Sequence, residues 1–104
     1  MKKEEAKELK LSMKGGKLCL EVDDKEIFSL NEEKYSIHIQ HFGYEHREDK
    51  LYEIERNSAF TVSTRQPQKI TWEMIQEKGK RIIDIYTPTK KVGVDKQLRW
   101  EITY

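Results

Sequence analysis

Three histidines, His38, His41 and His46, fall within nine residues, and such a cluster is the first place to seek a metal centre. Their spacing argues against one. His38 and His41 are an odd number of positions apart, so on a strand they point to opposite faces. His41 and His46 could meet across a loop, with Glu45, Glu48 or Asp49 adding an oxygen. One cysteine and no paired-ligand motif leave solvated loop histidines as the better account. Neither a metal nor another cofactor is expected.

Nucleophilic chemistry finds no better footing. There is no GxSxG elbow, HExxH or glycine-rich phosphate loop. Cys19 would serve only if a histidine reached it in a positive setting; in mid-strand opposite Ser12 it reads instead as a small half-buried filler. The carboxylate pairs Asp23-Asp24, Glu32-Glu33 and Glu48-Asp49 fall in turns, with no partner at general acid–base distance. An enzyme is not expected.

Binding chemistry is better represented. The segment Phe42 to Asp49, FGYEHRED, is longer than a hairpin needs, and loops of that kind often carry function. Phe42 and Tyr44 flank Gly43, and His46 and Arg47 follow among acids. Aromatics and arginine are the usual anchors of protein interfaces. Phe42, Tyr44, His46 and Arg47 are therefore the candidate partner-binding residues, against the plainer account in which Phe42 plugs the end of a sheet.

A second set suits single-stranded nucleic acid, which stacks bases on aromatics beside a basic groove. Phe42, Tyr44, Trp72 and Tyr86 could form the platform. Lys78, Lys80, Arg81, Lys90 and Lys91, with Lys96 and Arg99, could meet phosphates. Against this, Trp72 and Trp100 alternate with polar neighbours as core residues do, turn lysines are ordinary solubility residues, and no RNA-recognition signature appears. Net charge is +1, without the basic surplus of a dedicated duplex binder. Residues 1–56 hold 11 Lys/Arg against 14 Asp/Glu, and residues 57–104 hold 9 against 5, so the second half is the basic one.

The elements that must position these residues are strands. Glu8 to Val22, ELKLSMKGGKLCLEV, folds about Gly15-Gly16 so that Met13 faces Leu18, Leu11 faces Leu20 and Leu9 faces Val22, with Lys14/Lys17, Ser12/Cys19 and Lys10/Glu21 between them. A Gly-Gly loop suits a type I′ or II′ hairpin, and the alternation specifies the register. After an Asp23-Asp24-Lys25 loop, Glu26–Leu30 returns as a third strand, setting Phe28 and Leu30 beside Leu20 and Leu18 in a meander. Further strands are expected at Lys34–His41, Lys50–Arg56, Ala59–Ser63, Lys69–Gln76, Arg81–Thr87 and Gln97–Tyr104. In the fourth of these a short helix over 71–78, capped by Thr71 and stopped at Gly79, is the alternative to the favoured strand. Residues 1–7 are read as a charged, frayed end or a helical turn.

The fold expected is all-β: an antiparallel sandwich or small barrel of about eight or nine short strands, one domain over 8–104. A lone cysteine suits a reducing cytoplasm, no stretch spans a membrane, and lysine-rich usage suggests a low-GC bacterial or phage genome, which fits an accessory or inhibitory protein. The function expected is protein binding, with single-stranded nucleic acid as the alternative, and a sheet edge could also pair with a second copy.

Overall fold

The structure, a computed structural model, describes residues 3–31, 34–42, 47–52, 59–63, 69–88 and 95–104; of His41, Phe42, Arg47–Tyr52 and Asp95 only the backbone is described. Among the described residues ten strands form two antiparallel sheets: β1 Glu4–Ala6, β2 Glu8–Lys14, β3 Lys17–Val22, β4 Lys25–Leu30, β5 Ser36–Phe42, β6 Arg47–Tyr52, β7 Ala59–Ser63, β8 Ile70–Glu77, β9 Lys80–Pro88 and β10 Asp95–Thr103. The larger sheet has the order β1-β8-β9-β10-β5-β6, and the smaller has the order β4-β3-β2-β7. The fold is all-β and antiparallel, as expected of a small sandwich or barrel, with ten described strands where eight or nine were expected.

The Gly15-Gly16 hairpin forms in the expected register, with Leu9↔Val22, Leu11↔Leu20, Met13↔Leu18 and the polar pairs between. Both glycines have positive φ, 60° and 78°, as a type I′ turn demands. The return to β4 is made differently from expectation. Asp23 and Asp24 form a two-residue turn with φ of 50° and 67°, a conformation that Asp tolerates better than most residues. A bulge at Ile27 then supplies the extra residue, so Phe28 still meets Leu20 and Leu30 still meets Leu18.

The N-terminal segment corrects the expectation of a frayed end. Glu4–Ala6 pairs with β8 as an edge strand, and Ala6 is buried at 3% exposure. Lys7 alone separates it from β2, so the chain passes from one sheet to the other across a single residue. Asp23 holds that corner: one carboxylate oxygen accepts the backbone N–H of Lys7 at 2.9 Å and of Glu8 at 3.0 Å, while the Asp23 N–H donates to the Glu8 carbonyl at 3.0 Å.

The helical alternative over 71–78 is also resolved: β8 is a strand throughout, paired with β9 from Thr71↔Tyr86 to Glu77↔Lys80. Its period-2 pattern buries Ile70 and Trp72 against the core, and that burial outweighs an eight-residue helix with a marginal nucleus. The core lies between the sheets. Leu9, Leu11, Leu18, Leu20, Phe28 and Leu30 come from the smaller sheet, and Ile37, Ile39, Ile70, Trp72, Ile83, Ile85, Trp100 and Ile102 from the larger.

Two stability predictions follow from these turns. Gly79 has φ of 70°, and a Cβ there would lie 3.0 Å from the Tyr104 carbonyl, whose own N–H donates to the Gly79 carbonyl at 2.9 Å. Gly15→Ala should cost about 1–2 kcal/mol for the left-handed conformation alone, and Gly79→Ala should cost more, both read from urea midpoints. Asp23→Ala should cost about 1–2 kcal/mol by removing the corner acceptor, whereas Asp23→Asn, which keeps a carbonyl and tolerates positive φ, should cost less.

Candidate functional site

The outward face of the larger sheet follows from the register. Ile83, Ile85, Trp100 and Ile102 face the core, so Ile82, Asp84 and Tyr86 on β9 and Gln97, Arg99 and Glu101 on β10 face away. Glu73 lies opposite Asp84 on β8, and Gln40 opposite Arg99 on β5. Asp84 is only 2% exposed. A carboxylate that dry must be paired, and Arg99 pairs it through two hydrogen bonds, Nε to Oδ1 at 2.6 Å and Nη2 to Oδ2 at 3.1 Å. Gln97 Nε2 adds a longer donor to Oδ1 at 3.5 Å.

A second network lies nearer the β8–β9 turn. Lys80 Nζ reaches Glu101 Oε1 at 2.7 Å, and His38 Nδ1 stands 4.0 Å from Glu101 Oε2. Beside these charges the face offers half-buried Ile75, Ile82 and Tyr86, and the Lys3 ammonium lies 3.9 Å from the Tyr86 ring centroid. The arrangement is mixed: aromatic and aliphatic surface around cations that carboxylates hold in place.

The sequence candidates are distributed around this face. Gln97 is the register partner of both Tyr86 and Phe42, and Phe42 is in turn the partner of Arg47. Tyr86, Gln97, Phe42 and Arg47 therefore occupy one row across β9, β10, β5 and β6. Strand pairing also runs further into the loop than expected, since Arg47, Glu48 and Asp49 belong to β6. Tyr44, His46, Lys90 and Lys91 lie outside the described residues. Lys78 is exposed in the β8–β9 turn.

Several nucleic-acid candidates are placed where they do not form a platform. Trp72 is in the core at 5% exposure and cannot stack on a base. Lys80 is held by Glu101 and Arg99 by Asp84. Arg81 faces inward, alternating with Ile83 and Ile85. Among the described residues no three His, Cys, Asp or Glu side chains are grouped to hold a metal ion. Cys19 is buried at 2% exposure, its Sγ 3.8 Å from the Lys17 carbonyl.

No family model, curated protein or solved structure matches the chain. Function must therefore be read from the geometry.

The site residue that sequence reasoning missed is Asp84. The available signal was an acid in the middle of an isoleucine-rich strand, RIIDI, flanked by strands that carry the cation for it. Asp84→Ala should cost about 2–3 kcal/mol, because the two hydrogen bonds from Arg99 to the buried carboxylate are lost. Arg99→Met added to that chain should cost little more, so the double-mutant cycle should show strong coupling.

Among the described residues four groups hold their protons more tightly in the fold. Burial, then the Glu26 carboxylate, pushes the Cys19 thiol up; burial, then Asp84 and Glu73, raises the Tyr86 hydroxyl. The hydrogen bonds to Glu101 and Asp84 raise Lys80 and Arg99. For each, the unfolded chain loses its proton first as pH rises, so its contribution is complete below the unfolded pKa and is lost on passing upward through the folded one. Stability should therefore decline from about pH 8.5, where free thiols titrate, and further near pH 10, where free tyrosines do. Urea midpoints between pH 7 and 11 measure this, and Cys19→Ala should remove the earliest part of the decline.

Proposed function

We propose that this protein is a small, non-enzymatic protein-binding module, and that the outward face of its larger sheet, with the adjoining Phe42–Arg47 end, is the contact surface. The observation that carries this reading is the row Tyr86, Gln97, Phe42 and Arg47 lying beside the Asp84–Arg99 pair. Aromatic and arginine residues supply most of the energy at protein interfaces. An arginine already gripped by a buried aspartate loses less side-chain freedom when a partner docks on it. Half-buried Ile75 and Ile82 add apolar area to the face.

The mixed charge also favours a protein over a polyanion. Phosphate contacts need cations free to displace counterions, and here Lys80 and Arg99 are each neutralised by a carboxylate on the same face. The proposed setting is the cytoplasm of a bacterium or its phage, in an accessory or inhibitory role.

The test begins with gentle purification at low salt, with light-scattering mass and the 260/280 nm ratio recorded. A stoichiometric second protein is the expected result. Its affinity should survive about 0.5 M salt, where binding through phosphates would collapse. Tyr86→Ala, and separately Phe42→Ala with Tyr44→Ala, should each weaken that complex by about tenfold or more. A high 260 nm signal removed by nuclease would overturn the proposal in favour of single-stranded nucleic acid.

A further inference from the structure

Arg81 lies on the core side of the larger sheet, whereas Lys80 and Arg99 face away. Its register partners are Gln76 on β8 and Ile102 on β10, and its side chain lies on the core side at the end of the sandwich. The guanidinium carbon is 4.9 Å from the centroid of Phe28, which belongs to the opposite sheet. Nη1 has only the thioether sulfur of Met74, at 3.8 Å, and Nε is buried with no hydrogen-bond partner. Lys69, Lys80 and Arg99 each hold a carboxylate at 3.2 Å or less. Among the described residues no carboxylate holds Arg81.

A buried N–H donor without an acceptor is costly, and a cationic one more so. The Phe28 ring face attracts the charge, but it leaves the in-plane Nε–H unbonded, and a thioether is a weak acceptor. The arginine is thus held among apolar contacts with its Nε–H donor unsatisfied. Half-buried apolar and aromatic side chains also pack against the core at this end. Tyr104 follows Ile102 beside the β8–β9 turn, its N–H on the Gly79 carbonyl. Tyr35 precedes β5 and donates its hydroxyl to Met13 Sδ on the smaller sheet at 3.0 Å. Met74 and Met13 add unbranched thioethers, which repack readily around a guest.

We propose that this end of the sandwich is a binding site for an apolar monocarboxylate, with Arg81 as the carboxylate receptor and Phe28, Met74, Tyr104 and Met13 flanking the apolar body. A planar carboxylate accepts two parallel N–H bonds from a guanidinium, Nε among them, and supplies the missing charge. One cation matches one negative charge, which suits a carboxylate better than a phosphate dianion. Lys80, next in sequence, faces the other way and is taken by Glu101. This site is independent of the outward face.

The test is calorimetric titration with decanoate and 1-decanol below their aggregation limits, at neutral pH. Decanoate should bind at least about tenfold more tightly than decanol, since only the acid satisfies the guanidinium. Arg81→Gln should weaken decanoate about tenfold or more and leave decanol unchanged, closing the gap. Arg81→Lys, which keeps the charge without the planar fork, should fall between. Undetectable decanoate binding at millimolar concentration, equal binding of acid and alcohol, or full decanoate affinity in Arg81→Gln would each overturn the proposal. The acid–alcohol comparison on the unmodified protein decides the matter even if a variant fails to fold.

Discussion

The fold turns on one carboxylate. Asp23 occupies the first left-handed position of the β3–β4 turn, and from there its side chain gathers the two N–H groups at the Lys7–Glu8 corner. That corner is where the chain leaves the larger sheet and enters the smaller. A strand changing sheets loses its ladder bonds at the bend, and the freed backbone donors need acceptors. A side chain on a tight turn supplies them without lengthening the connection. The same residue therefore ties together the β3–β4 turn, the start of the central hairpin and the edge strand that closes the larger sheet at β8.

From that corner the two sheets diverge in character. The smaller sheet is built on local pairing, β2 to β3 to β4, and its inward residues are mostly leucines matched across short turns. The larger joins strands distant in sequence: β10 sits between β9 and β5, so the C-terminal strand completes its centre. Trp100 and Ile102 are buried there, and Arg99 reaches Asp84 on the opposite face of the same strands. One late-arriving strand thus supplies both a core residue and the counter-ion for a dry carboxylate. Folding of the larger sheet must wait for it, since loop closure over such separations precedes any gain in contacts.

Legibility followed locality. Every pair of the Gly15-Gly16 hairpin could be read because turn chemistry and alternation agree there. The partners of Phe28 and Leu30 were right for an incomplete reason: a three-residue loop was expected, and a two-residue turn plus a bulge at Ile27 yields the same inward set. The period-2 constraint acts on which residues are buried and is indifferent to how the count is made up. Residues 4–6 were illegible because a charged edge strand with one apolar residue carries no pattern, and Ala6 is too small to signal burial. Arg81 was read by its charge although its parity with Ile83 and Ile85 already put it inside. Asp84 was passed over because long-range pairing, not spacing, supplies Arg99.

The edges bear on how such a module would meet a partner. An open edge recruits strands unless something blunts it. Here β1 is three residues long with Glu4 and Glu5 exposed, and β4 carries Lys25, Glu26 and the Ile27 bulge, all devices that discourage strand addition. The outward face of the larger sheet carries the opposite kind of feature: tyrosine and isoleucine in reach of solvent, with an arginine oriented by a buried acid. With the β1 and β4 edges blunted and an amphipathic face ordered beside them, contact by side chains is favoured over backbone pairing at those two edges. It would make recognition depend on which residues stand on the face, so specificity could change by substitution there while the strands and their registers stay as they are.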